Sequence, residues 1–112
     1  MPAYIKKPPV DIIDGVDRYI ILMDLPGVKA EDIEINGYDT YIEISGVKKP
    51  DYSGNYLLME RFSGRFKRKI SFKNPVDISQ AKAELNNGVL KIEIPKTMEK
   101  IVITKTTIII RR

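Results

Sequence analysis

Asn86-Asn87-Gly88-Val89-Leu90-Lys91-Ile92-Glu93-Ile94-Pro95 decides the fold class of this chain. Asn-Gly amid alternating apolar residues signals a two-residue hairpin loop, because the primed turn that matches strand twist needs positive φ at both central positions. With Asn87-Gly88 as that loop, Leu85 faces Leu90, Ala83 faces Ile92 and Ala81 faces Ile94, all on one side of the sheet. Two alanines beside two isoleucines leave a hollow. Ile33 and Ile35, from an earlier hairpin, are expected to complete it as a groove. Two alternating runs beyond Pro95, Ile101-Val102-Ile103 and Ile108-Ile109-Ile110, supply side chains that could fill it. An exposed apolar strand rarely stays solitary, so the expected occupant is a tail from another copy of the chain. The competing expectation is a last strand paired within its own domain, since nine of the ten residues 101–110 are β-branched and would suit any sheet edge.

Working outward, the rest of the chain also reads as strands. Residues 10–13 form a small strand that turns at Asp14-Gly15 into residues 18–25. This next segment is apolar on both faces and is expected to be a central strand covered twice. Pro26-Gly27 stops it, residues 29–32 turn, and residues 33–35 and 41–44 alternate as a second hairpin around the loop 36–40. Residues 65–72 and 81–85 are further strands, separated by a turn at Pro75-Val76-Asp77. No segment shows helical periodicity, and the spacing of strands and turns predicts an all-β fold, an antiparallel β-sandwich with an extended C-terminal tail. The long excursion 46–62 carries the apolar set Tyr56, Leu57, Leu58 and Met59, and loops of that length inside a small domain are usually functional.

Charge patterning within residues 65–72 isolates one residue. Arg65, Lys67 and Lys69 fall on one strand face, whereas Phe66, Arg68, Ile70 and Phe72 fall on the other. The first set is a solvated face. Arg68 stands among apolar residues and needs a partner, either a carboxylate or backbone carbonyls, near an edge or an interface.

Composition narrows the function. The 112 residues suffice for one modest core. Absence of cysteine removes disulfides, thiol nucleophiles and thiolate metal sites, and absence of histidine removes the commonest acid-base group and metal ligand. Asp11, Asp14 and Asp17 are spaced by three without the ligand pattern or glycine of a calcium loop, so no metal is expected. There is no phosphate-cradling glycine loop, and no cofactor is expected. The net charge of +4 and the cluster Arg61, Arg65, Lys67, Arg68, Lys69 and Lys73 could hint at nucleic acid, but a solvated strand face explains most of these charges, so nucleic acid is not expected as a partner. No apolar run is long enough to cross a bilayer as a helix, and residues 1–7 contain no signal-peptide core; no membrane partner and a cytoplasmic location are the expectation.

Several motifs together resemble the small heat-shock protein family, that is, the α-crystallin domain. They are Asp24-Leu25-Pro26-Gly27-Val28, then Glu60-Arg61 with Gly64, Phe66 and Arg68, then Ala83 with Asn87-Gly88-Val89-Leu90, then Ile94-Pro95-Lys96. The resemblance covers about residues 10–110 and implies a seven- or eight-stranded, immunoglobulin-like sandwich. It divides the chain into a short N-terminal arm (1–9), the sandwich domain (10–96) and a C-terminal extension (97–112). It also implies that residues 56–59 form a strand crossing to a neighbouring subunit, with Tyr56, Leu57, Leu58, Met59, Glu60, Arg61 and Arg68 at a homodimer interface. By the same resemblance the tail, with Ile108 and Ile110 favoured over Ile101 and Ile103, docks in the groove of Ile33, Ile35, Ala81, Ala83, Leu85, Leu90 and Ile92 and builds a higher homo-oligomer. Family members generally carry a longer apolar N-terminal arm, a departure that argues against a large cage and strong client protection. The implied function is an ATP-independent holdase for unfolded or partly unfolded client proteins, not an enzyme. The rival is an adaptor of the related CS type that binds a folded partner; such domains generally lack both the isoleucine tail and the swapped loop.

Overall fold

The structure, a computed structural model, describes residues 5–98 and 105–111. Ten strands appear in chain order: β1 (Ile5–Lys6), β2 (Val10–Asp14), β3 (Arg18–Asp24), β4 (Ile33–Gly37), β5 (Tyr41–Lys48), β6 (Gly64–Ser71), β7 (Lys82–Asn86), β8 (Val89–Pro95), β9 (Thr106–Thr107) and β10 (Ile110–Arg111). They form two five-stranded sheets, ordered β1-β6-β5-β4-β9 and β10-β7-β8-β3-β2. The long strands pair antiparallel, and the only helical elements among the described residues are 3-10 turns at Ala30–Asp32 and Ile78–Gln80. The all-β sandwich read from the sequence is the fold observed.

The deciding hairpin forms as its sequence demands. Asn87 and Gly88 both have positive φ, 51° and 75°, and the ladder sets Leu85 opposite Leu90 and Ala83 opposite Ile92. Ala81 departs from the expectation. It closes the second 3-10 turn instead of facing Ile94, because Asp77 caps that turn through its side chain and the strand begins only at Lys82. Ala81 still packs, half-buried, against the core.

The core is what alternation selects. Tyr19, Ile21 and Met23 of β3, Ile42 and Ile44 of β5, Phe66 and Ile70 of β6, and Leu90, Ile92 and Ile94 of β8 all point between the sheets. Burying each large aliphatic side chain contributes about 1.5–3 kcal/mol. Strand β3 is central, between β2 and β8, but it is fully covered on one face only; Ile20 and Leu22 on the outer face remain half-buried. That corrects the expectation of two covered faces, since none of the described residues covers the outside of this strand fully enough to exclude water. Three residues of the expected excursion 46–62, Gly46, Val47 and Lys48, belong to β5, so the segment without strands is 49–63. Gly46 can take that place because a Cβ there would stand 2.2 Å from the Asp32 carbonyl oxygen and 2.7 Å from the Phe66 ring.

Each end of the chain crosses from one sheet to the other. At the start, β1 lies parallel to β6 in the first sheet, then Pro8-Pro9 carries the chain to β2 in the second. At the end, β9 pairs with β4 in the first sheet and β10 runs parallel to β7 in the second. The two straps close opposite open sides of the sandwich.

Candidate functional site: the tail groove and the exposed arm

The groove between β4 and β7 arises from side-chain size. Ala83 is the small residue on β7, with Ile35 on β4 across from it and Leu90 and Ile92 behind it in the buried cluster. Ile33, Ala81 and Leu85 line the same cluster at half burial, so all seven residues expected to form the groove come together. Ile108 enters this hollow and retains 7% exposure. Its amide donates to the Ile35 carbonyl oxygen at 2.9 Å, and Ile110 lies in register with Ala83 and packs on the cluster. The intervening Ile109 is 76% exposed. In the structure these residues cover the groove of their own chain. Ile101 and Ile103, the other expected motif, lie outside the described residues.

Where the tail departs from the domain, the chain is clamped. Lys96 donates through Nζ to Asp14 and to the Gly15 carbonyl, and its ammonium lies 4.8 Å from the Tyr19 ring centroid. The Lys96 and Thr97 amides bond to the carbonyls of Asp17 and Pro75. Sequence reasoning quoted Lys96 only within a motif. Its clamping role depends on a turn some 80 positions earlier in the chain, which no local pattern reveals.

The excursion presents a different picture. Tyr56, Leu57, Leu58 and Met59 are exposed and make no ladder pairs among the described residues. Glu60 and Arg61 are exposed beside them, with Arg61 bridging to Asp51 at 3.0 Å across the two limbs of the arm. The root of the arm meets the N-terminal strap, where the Lys6 ammonium sits 4.5 Å from the Phe62 ring centroid. Arg68 finds one of the two partner types expected of it: half-buried on the inner face of β6, it donates to the Pro8 carbonyl at 3.3 Å. It therefore ties the strap to the sheet. Within the chain, the contact of Arg68 is with the strap.

The charged groups around these elements are ordinary surface groups. Glu93 is held below the usual carboxylate range, chiefly by its hydrogen bond from Lys91, with Arg18 adding to it, against an opposing desolvation. Asp17 is lowered by its bond from Arg18. Tyr41 is raised by desolvation and by Tyr38, which stacks on it at 4.4 Å. Among the described residues no cluster of three carboxylate, histidine or cysteine side chains could hold a metal ion, and no helix is long and apolar enough to cross a membrane.

Residues 11–111 match the Hsp20/alpha crystallin family. This chain belongs to that family. A 17.7 kDa class II heat shock protein of Arabidopsis thaliana is 33% identical over 93 residues, which cover 79% of this chain and 60% of the plant protein. An 18 kDa heat shock protein of Clostridium acetobutylicum is 34% identical over 95 residues, covering 80% of this chain and 62% of the relative. The chain thus spans about three-fifths of the length of the curated relatives it matches. Among solved structures, heat shock protein 16.0 from Schizosaccharomyces pombe superposes with a TM-score of 0.77 at 28% identity, covering 89% of this chain and 77% of that one. The hspA protein from Xanthomonas axonopodis does so with a TM-score of 0.70 at 32% identity, covering 81% and 94%. The α-crystallin domain is therefore the architecture of the Hsp20 chain, as its motifs indicated, and the family is non-enzymatic.

Proposed function

We propose that this Hsp20-family chain is an ATP-independent holdase, which binds partly unfolded polypeptides through apolar surface and assembles by exchanging its arm and its tail between subunits. The observation that carries the reading is the contrast between a slot that accepts two isoleucines of an extended segment and an arm whose four apolar residues stand in solvent. A slot of this kind recognises β-branched apolar side chains on an extended backbone, a feature unfolded chains expose and folded ones bury. No catalytic group is needed.

Arm exchange is supported by the edge that remains open. Strand β2 ends its sheet, and Ile12 and Ile13, which point to opposite faces of that strand, are 48% and 45% exposed. A strand added along β2 from the arm of a second subunit would cover both and satisfy the free backbone groups. Tail exchange is supported by reach. Residues 97–105 can extend by about 30 Å, enough to carry the same isoleucines into the slot of a neighbour. Closed and exchanged forms make the same contacts, so concentration and linker geometry set their balance.

The direct test is light scattering from a heat-aggregating substrate, without nucleotide, with the chain added from sub-equimolar to equimolar amounts. Suppression that rises with added chain is expected. Unchanged scattering over that range removes the holdase assignment.

A further inference from the structure

The tail carries two Ile-x-Ile motifs, and the apolar slot alone has little means of telling them apart. Both present isoleucines two residues apart around a β-branched centre, Val102 or Ile109, and in the docked motif that centre faces solvent. Apart from the length of chain that links each motif to the domain, the flanks are what distinguish them. Thr107 precedes the docked motif, lies in register with Asn36 on β4, and its Oγ1 donates to Asn36 Oδ1 at 3.2 Å. Arg111 follows it and lies in register with Glu84 on β7. Glu84 and Arg111 line one cleft of about 240 Å³ with Lys82, Lys91 and Glu93. Glu93 is already engaged by Lys91 and Arg18, each at 3.1 Å. Glu84 forms no ion pair within 4.0 Å among the described residues, although it stands in the ladder between Lys91 and the incoming Arg111.

We propose that Thr107 and Arg111, read by Asn36 and Glu84, are the specificity-determining residues that seat the distal motif in the groove in preference to the proximal one. The inference rests on the groove being a docking site for the tail. Seated in the same register, the proximal motif would bring Lys100 to Asn36 and Thr104 to Glu84. That exchanges a short hydroxyl for a long flexible ammonium at one end and leaves the spare carboxylate without a cation at the other. Lys82 opposes Arg111 in the cleft, whereas Lys91 is neutralised by Glu93, so Glu84 supplies the attraction that decides the site.

Amide hydrogen exchange on the full chain tests this, read at Ile108, whose N–H bonds to Ile35, and at Ile103. In the native chain the Ile108 amide is protected and the Ile103 amide is not. Glu84→Lys speeds exchange at Ile108 about 3- to 10-fold, and adding Arg111→Glu returns it to within about twofold of the native rate. About 1 M salt shrinks the difference between the native chain and Glu84→Lys. Protection at Ile92 in every variant shows that the domain stays folded. An unchanged Ile108 rate in Glu84→Lys, a failure of the second substitution to rescue, or protection at Ile103 overturns the assignment. A native Ile108 amide that exchanges like an unstructured one overturns tail docking itself, and a monomeric mass with Ile108 protected overturns only the exchange of tails between subunits.

Discussion

The tail and the arm are both apolar, yet one is packed and the other is bare. Ile108 is almost wholly buried, whereas Leu57 and Leu58 stand in solvent. Hydrophobicity does not separate them; the presence of a receptor does. The tail meets a hollow made by Ala83, and its two short strands, β9 and β10, complete the edges of β4 and β7 on that side of the sandwich. The arm springs from β5 and β6, and both are already paired along their edges, β5 between β4 and β6, and β6 between β5 and β1. Among the described residues the arm pairs with no strand of its own chain, and the edge proposed to receive it, β2, belongs to the other sheet. An exposed apolar segment of this kind marks an interaction surface, and the proposed occupant is a second copy of the chain.

Breaking the arm has the largest expected consequence. Replacing Leu58 and Met59 together by Asp adds two charges where the proposed dimer buries apolar surface, and the mass from light scattering falls to that of one subunit. The melting temperature of the monomeric domain stays within a few degrees, because both side chains are exposed in the chain. A dimer that survives the double substitution removes the arm from the interface.

Filling the hollow sharpens the tail side of the contrast. Ala83→Leu overpacks the slot at a cost of about 1–3 kcal/mol, which the chain relieves by releasing Ile108, so tail exchange quickens and assembly weakens while the domain still folds. Ile109→Ala serves as its control; with the side chain 76% exposed, the change stays within about 0.5 kcal/mol. Equal effects from the two substitutions would mean that the slot does not read the isoleucines.

The smallest effect concerns pH. Lys91 and Arg18 depress the Glu93 carboxyl below its ordinary 4.5, so its contribution is present above that value and is lost as the pH falls through the lower folded-state pKa. The pair is largely solvated, which keeps the contribution slight. Melting temperatures between about pH 6 and pH 3 should show a shallow acid decline that Glu93→Gln flattens. A steeper decline in the variant would contradict the sign.

Much of this was legible in the residues. Period-two alternation sorted the inner and outer faces of β6 correctly and singled out Arg68 as the charge on the wrong side. The register of the last hairpin followed from Asn87-Gly88, because a two-residue primed turn leaves the strands no freedom to slip. Ala81 was misplaced since alternation cannot see a capped 3-10 turn interrupting it. The double burial expected of β3 failed for a related reason: alternation reports which residues are apolar, and not whether another layer exists to cover them.

Local sequence thus determined the long strands, the faces of β6, the register of the last hairpin and the small residue at Ala83, all of which depend on neighbours a few positions apart. Only the tertiary structure decided that Arg68 is satisfied by the Pro8 carbonyl, that Lys96 clamps the root of the tail against Asp14, and that each end of the chain straps one sheet to the other. The first two contacts join residues 60 and 82 positions apart. Their existence depends on which edges stay open once two sheets have stacked, a property of the packed whole that no short stretch of residues contains.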